Sequence, residues 1–120
     1  MNKISQLLSL NTKPLIMGVL NLTPDSFSDG GKYNEIDLAL KRVEYMIESG
    51  ADIIDIGAES SRPGAEIISV NDERARLEPT LKEIKKVFDA PISIDTYKPE
   101  IMKLSIDYGV DMIKDRKSVV

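Results

Sequence analysis

The stretch GVLNLTPDSFSDGG, residues 18–31, decides the fold of this 120-residue chain. It begins inside an apolar run, residues 15–20, whose length and composition are typical of a buried strand. It then changes to Asn, Thr, Pro, Asp, Ser and Gly, which form loops, before a helical pattern follows. Parallel α/β folds carry their chemistry in such loops at the carboxyl ends of strands. An ordinary strand-to-helix connection has the same composition, so this loop alone leaves both interpretations open.

The order of strand, polar loop and helix recurs along the chain. Runs rich in Ile predict two further strands at residues 51–57 and 91–96, and residues 110–113 begin a fourth. Apolar residues at helical spacing predict three helices, at residues 36–47, 71–88 and 98–108. Asn34 or Asp37 is expected to cap the first helix, and Pro79 predicts a kink or a break in the second.

Helices between successive strands make the sheet parallel, with right-handed crossovers. The strands are predicted to end near Asn21, Gly57, Asp95 and Lys114, with Asn21, Ser61, Arg62 and Asp95 along one rim. A doubly wound sheet and a (β/α)₈ barrel both fit, and a flavodoxin-like receiver stays open. Residues 18–31 contain neither the dinucleotide-binding glycine pattern nor a P-loop, which favours the barrel.

Composition excludes several classes of function. The chain has no Cys and no His, so any chemistry must use carboxylates, amides, hydroxyls, Lys and Arg. The net charge of −4 and the mixed charges along the helices argue against nucleic-acid binding. No segment is apolar over the length of a membrane span, so a cytoplasmic protein without a membrane partner is the expectation.

Three motifs together resemble the dihydropteroate synthase family: MGVLNLTPDSFSDGG at residues 17–31, GADIIDIGAESSRPG at 50–64 and SIDT at 93–96. The resemblance runs from about Leu15 to Asp115. It implies a (β/α)₈ TIM barrel that joins 6-hydroxymethyl-7,8-dihydropterin diphosphate to p-aminobenzoate and releases diphosphate with magnesium (Mg2+). It also implies that sulfonamides compete for the p-aminobenzoate position.

The resemblance assigns roles to residues of two loops. Asn21 corresponds to the residue that holds magnesium and diphosphate, while a loop-capping Asn is the alternative. Thr23, Pro24 and Phe27 lie in the stretch that corresponds to the family's mobile first loop, which forms part of the p-aminobenzoate pocket.

The second loop and the third strand supply the other site residues that the resemblance implies. Ser61 and Arg62 correspond to the second loop, with the Arg62 guanidinium directed at diphosphate oxygens. Ser61 departs from the Thr that the family usually has. Asp95 corresponds to a pterin anchor, and a cap on the following helix is its alternative. Asn21, Arg62 and Asp95 are therefore the predicted catalytic residues. Asp55 is a secondary candidate, and Glu59 and Asp52 are interpreted as structural.

Two departures from the family pattern limit the prediction. Lys114 stands where the family usually has an Asn that contacts the pterin, and Lys cannot accept a hydrogen bond. A barrel needs about 250 residues, so residues 1–120 are predicted to form a single incomplete domain of about four βα units, with a hairpin at 1–14. The chain alone is expected to be inactive. The alternatives are a pterin-binding methyltransferase domain, a non-catalytic truncated remnant, or a half-barrel that forms a homodimer.

Overall fold

The computed structural model describes residues 14–22, 35–59 and 67–115. Four strands and three helices alternate there: β1 Met17–Asn21, α1 Glu35–Glu48, β2 Ile53–Gly57, α2 Val70–Val87, β3 Ile92–Thr96, α3 Pro99–Asp107 and β4 Met112–Asp115. All strand pairs are parallel, and the strands lie side by side in chain order. The predicted order of elements is confirmed, with boundaries that shift by about two residues. The hairpin predicted at residues 1–14 falls almost entirely outside the described residues and stays a prediction.

The helices cover one face of the sheet. Within the strands, the buried core consists of alternate residues, namely Leu20, Ile54, Ile56, Ile92 and Ile94. These contact buried residues of all three helices, which are Ala39, Val43, Leu77, Leu81, Ile84 and Ile101. Gly18 faces the same way, since an added Cβ would lie 2.7 Å from the sulfur of Met46 in α1. A doubly wound sheet carries helices on both faces, whereas a barrel carries one layer outside the strands, so the described part of the sheet favours the barrel.

Helix α2 corrects one prediction. It runs without interruption from Val70 to Val87, so the break predicted at Pro79 is wrong. Pro79 lies on the exposed side of the helix, while buried Leu77 and Leu81 on either side of it hold the helix against the sheet. Ser69 caps the start of α2, because its hydroxyl accepts a hydrogen bond from the Asp72 amide at 3.1 Å.

The other helix ends agree largely with expectation. Helix α1 begins at Glu35, so Asp37 lies in its first turn and is not its cap; Asn34 lies outside the described residues. Gly50 and Gly109 follow α1 and α3 with φ angles of 106° and 79°, a conformation that glycine adopts most readily. They allow the chain to turn directly into the next strand.

The two outer strands are open on one side. In the described part of the sheet, β1 pairs only with β2 and β4 pairs only with β3, so each has one outer edge without a strand partner. No helix in the described ranges has the length and hydropathy that a membrane-spanning segment requires.

Candidate functional site

The four residues predicted to end the strands form one row across the sheet. Asn21 is the register partner of Gly57, Gly57 that of Asp95, and Asp95 that of Lys114. Each follows a residue that faces the helices, so the row faces the opposite side of the sheet. Neighbouring strands lie about 4.8 Å apart, which separates the Asn21 and Asp95 backbones by about 10 Å. The sheet thus brings Asn21 and Asp95 to one edge, as the sequence predicts.

Gly57 leaves room in the middle of this row. A Cβ added to Gly57 would lie 3.7 Å from the Cβ of Asp95 and 3.8 Å from its Oδ2, so the Asp95 carboxylate lies beside the glycine. The alternative role of Asp95 as a helix cap is wrong. Lys98 occupies the N-cap position of α3 and makes no side-chain cap bond, and its amide donates to the Thr96 hydroxyl at 3.2 Å.

A second polar group lies below the row on the same face. The carboxylate of Asp55 is buried, with 3% of the residue exposed. Its Oδ1 accepts a hydrogen bond from the Ser93 hydroxyl at 2.8 Å, and its Oδ2 accepts one from the Lys114 ammonium at 3.2 Å. The polar face of the sheet therefore extends from the row toward the middle of the strands.

Behind the row, on the helix side, three charged side chains form a buried cluster that we name the β2-exit cluster: Glu59, Glu73 and Lys98. The Lys98 ammonium lies 2.9 Å from Glu59 Oε2 and 2.6 Å from Glu73 Oε1. The Thr96 hydroxyl donates to Glu73 Oε2 at 2.8 Å. All three charged residues are less than 9% exposed, so they are held away from water by their mutual contacts.

The β2-exit cluster fixes the point where the chain leaves β2. Glu59 Oε2 also accepts a hydrogen bond at 3.0 Å from the amide of Ile68, which lies nine positions later in the chain. Arg76 of α2 donates to the Ala58 carbonyl at 3.0 Å. Side chains from α2 and from the start of α3 therefore hold the chain at the end of β2, immediately before the segment that contains Ser61 and Arg62.

Ion pairing sets the protonation of the β2-exit cluster. Burial opposes the charge on Glu59, but hydrogen bonds from Lys98 and the Ile68 amide outweigh it, so the pKa of Glu59 lies below its ordinary value. Burial likewise opposes the charge on Lys98, but hydrogen bonds to Glu73 and Glu59 outweigh it and raise the pKa of Lys98. Glu59 and Lys98 are therefore charged at neutral pH.

Acid is expected to weaken the cluster through Glu59. Because the pKa of Glu59 is lower in the folded than in the unfolded chain, its contribution to stability is complete above the ordinary pKa that Glu59 has in the unfolded chain. This contribution is lost as the pH falls through the lower pKa that Glu59 has in the folded chain. Urea unfolding of the wild type and of Glu59→Gln between about pH 7 and pH 3 measures how the free energy of unfolding depends on pH. The free energy of unfolding should fall more steeply in the wild type; parallel curves would contradict the expectation.

Five predicted site residues lie outside the described residues: Thr23, Pro24, Phe27, Ser61 and Arg62. Their roles stay predictions. The interpretation of Glu59 as structural agrees with its place in the β2-exit cluster, but sequence reasoning missed the cluster that it forms with Lys98 and Glu73. One signal pointed to it: Glu73 falls on the same helical face as Leu77, Leu81 and Ile84, where a charged residue needs a partner.

Asn21 is the described residue that suits the predicted magnesium. Its exposed side chain offers one neutral oxygen at the end of β1. Within the described ranges, no three His, Cys, Asp or Glu side chains come together as a metal site. Magnesium commonly keeps several waters and binds one or two protein oxygens together with substrate phosphates, so a single amide fits that pattern. Held there, magnesium would supply compensation for negative charge on a bound phosphate group.

Comparison with known proteins assigns the chain to a family. The sequence pattern of the family described as pterin binding enzyme matches residues 17–119. The chain belongs to the pterin binding enzyme family. A dihydropteroate synthase of Clostridium beijerinckii is 53% identical over 107 residues, covering 89% of this chain and 40% of that protein. The chain thus spans about 40% of the length of this relative.

Solved structures support the same assignment of family and fold. The dihydropteroate synthase of Clostridium difficile, solved in the presence of pteroic acid, matches with a TM-score of 0.82 and 46% identity, over 87% of this chain and 40% of that one. The Xanthomonas albilineans dihydropteroate synthase with 4-aminobenzoic acid matches with a TM-score of 0.80 and 41% identity, over 85% of this chain and 37% of that one. In this pterin binding enzyme, the four strands and three helices therefore correspond to part of a TIM barrel.

Proposed function

We propose that the chain forms the amino-terminal half of a dihydropteroate synthase site. Its ligands are 6-hydroxymethyl-7,8-dihydropterin diphosphate and p-aminobenzoate, which the full reaction condenses to 7,8-dihydropteroate and diphosphate. The observation that carries the proposal is the row of Asn21, Gly57 and Asp95, aligned at one edge of parallel strands within a family match that covers residues 17–119. A flat ring fits beside a glycine that is flanked by an acceptor on each side.

Each residue of the row has a proposed role that follows from its chemistry. Asp95 offers only acceptors when ionised and binds the N–H groups of the pterin ring. Asn21 contributes an amide oxygen to the magnesium that accompanies the diphosphate. Arg62 binds diphosphate oxygens with its forked guanidinium, and Thr23, Pro24 and Phe27 border the p-aminobenzoate. These groups orient the reactants and stabilise the charge of the leaving diphosphate, so the reaction needs little proton transfer from side chains. The absence of histidine in this chain therefore does not argue against the proposal.

We further propose that the chain alone binds the pterin without catalysing the condensation. Its four described strands are half of those in an eight-stranded barrel, and a catalytic mouth draws residues from the ends of several strands around the whole ring. The open edges of β1 and β4 also support a homodimer, because two copies supply eight strands between them. Sedimentation as a monomer at high protein concentration would exclude the homodimer.

Two measurements on the purified chain test the proposed function. With both substrates and magnesium, formation of 7,8-dihydropteroate should stay at the level of a mixture without protein. Calorimetry with 6-hydroxymethylpterin should nevertheless detect binding. Robust turnover would show that this part of a barrel suffices for catalysis. A well-folded chain that binds no pterin would instead favour the alternative of a non-catalytic remnant. A chain that binds pterin but not p-aminobenzoate would favour the methyltransferase alternative.

A further inference from the structure

The strand pairing between β2 and β3 stops at the candidate site. Gly57 and Asp95 are the last register partners of these two strands, and the next residue of β3, Thr96, pairs with Asp115 of β4. Because β2 ends at Gly57, Thr96 has no β2 residue opposite it in the described part of the sheet. Side chains must therefore hold this end of β3 on its β2 side.

The Thr96 side chain fastens the end of β3 to α2. Its hydroxyl donates to Glu73 Oε2 at 2.8 Å and accepts a hydrogen bond from the Lys98 amide at 3.2 Å. Thr96 is 0% exposed and Glu73 is 1% exposed, so water does not compete for these hydrogen bonds. Glu73 is itself held by the Lys98 ammonium at 2.6 Å. One buried hydroxyl thus joins the end of β3 to the β2-exit cluster.

An arrangement that fixes Thr96 also fixes Asp95. Successive side chains of a strand point to opposite faces, so Asp95 lies on the site face while Thr96 lies on the helix face. Any rotation of β3 about its axis, or any movement of its end away from β2, displaces both side chains together. The Asp95 carboxylate lies close beside Gly57, with its Oδ2 3.8 Å from the position of an added Cβ. A small displacement of β3 therefore changes the space between them.

We propose that Thr96 and Glu73 are positioning residues, which hold Asp95 at the distance from Gly57 that a bound ligand requires. Both lie on the helix side of the sheet, so they act through the peptide chain and not by contact with the ligand. Binding groups keep a productive geometry when buried hydrogen bonds behind them lock their support. This inference rests on the proposed function and adds to the site two residues from the opposite face of the sheet.

Two variants of Thr96 test the role of its hydroxyl, with calorimetry of 6-hydroxymethylpterin as the measurement. Thr96→Val keeps the shape of the side chain and removes the hydroxyl. Its affinity should fall about tenfold, the lower end of the effect of hydrogen bonds that orient ligating side chains. Thr96→Ser keeps the hydroxyl and loses a methyl group, so it should bind as the wild type does.

Tyr108→Phe is the matched control for Thr96→Val. It also removes a hydroxyl that donates to a glutamate of α2, since the Tyr108 hydroxyl lies 3.0 Å from Glu78 Oε2. Tyr108 follows the last residue of α3, so it lies at the end of that helix remote from the candidate site. Tyr108→Phe should bind the pterin with the affinity of the wild type.

Urea unfolding of the same variants separates positioning from stability. A structural role alone would lower the midpoint of unfolding in Thr96→Val, while the folded chain bound the pterin with unchanged affinity. If Thr96→Val does not fold, Glu73→Gln/Thr96→Val takes its place, because it removes the carboxylate that would otherwise be buried without its hydroxyl donor. The same tenfold loss of affinity is expected in the double variant.

The possible outcomes separate this inference from the proposed function. Unchanged affinity in Thr96→Val would overturn the positioning role while the pterin half-site stands. Equal losses in Thr96→Val and Thr96→Ser would also overturn it, by assigning the effect to packing of the methyl group. A loss of the same size in Tyr108→Phe would do so as well, since any weakened contact of α2 would then suffice. If neither the wild type nor any variant binds the pterin, both the positioning role and the proposed function fail.

Discussion

Replacement of Lys98 by Met is expected to lower the free energy of unfolding by about 3–5 kcal/mol, the effect of breaking a buried ion pair from one side. Lys98 lies between two carboxylates, Glu59 and Glu73, each of which is almost inaccessible to water. Met fills a similar volume but leaves both carboxylates without their cation. Since domains of ordinary size are stable by only about 5–15 kcal/mol, the variant should be largely destabilised.

Urea unfolding followed by circular dichroism measures this effect, with Lys86→Met as the matched control. Lys86 pairs with Glu83 at 3.6 Å on the surface of α2, where 65% of its side chain is exposed. Such pairs contribute roughly 0–1 kcal/mol, so the control should resemble the wild type. If the two variants were equally stable, Lys98 would not be the residue that holds the β2-exit cluster together.

Asp95→Asn is expected to weaken the binding of 6-hydroxymethylpterin about tenfold to a hundredfold, because hydrogen bonds to a charged group contribute roughly 1.5–3 kcal/mol. The substitution preserves the size of the side chain, so the sheet should be unaffected. It replaces one acceptor oxygen by an NH₂ donor, which then faces an N–H of the ring. The loss should appear in the dissociation constant while the thermal unfolding temperature changes little.

Calorimetry of wild type, Asp95→Asn and Asp107→Asn provides the comparison. Asp107 is the exposed last residue of α3, so its substitution removes the same charge without touching the row. Asp107→Asn should bind the pterin as the wild type does. Unchanged binding by Asp95→Asn would remove Asp95 from the site. A similar loss in both variants would indicate that overall charge controls the affinity.

The row of site residues could be predicted because its causes are local. β2 and β3 are short β-branched runs, and a helix with regular apolar spacing separates each strand from the next, so the strands must be parallel and must end at one edge. That reasoning brings Asn21 and Asp95 together although 74 positions separate them (95 − 21). The same reasoning places Asp55 on the face opposite the helices, where its contact with Lys114 was not anticipated.

The β2-exit cluster and the course of α2 could not be predicted in the same way. Lys98 meets Glu59 and Glu73 across separations of 39 and 25 residues, and no periodic pattern connects such positions. Pro79 lies inside α2, and a proline at an interior position normally kinks or breaks a helix. This effect is overridden because the buried residues on both sides of Pro79 fasten α2 to the sheet, so tertiary packing outweighs the lost backbone hydrogen bond.

We expect the outer edges of β1 and β4, which pair with no strand in the described part of the sheet, to influence how long the polypeptide survives in a cell. Unpaired N–H and C=O groups along a strand invite pairing with other chains, and they also mark a protein for chaperones and proteases. Any molecule that covers an edge removes this mark. Cellular half-life should therefore report on edge coverage, independently of whether a pterin is ever bound.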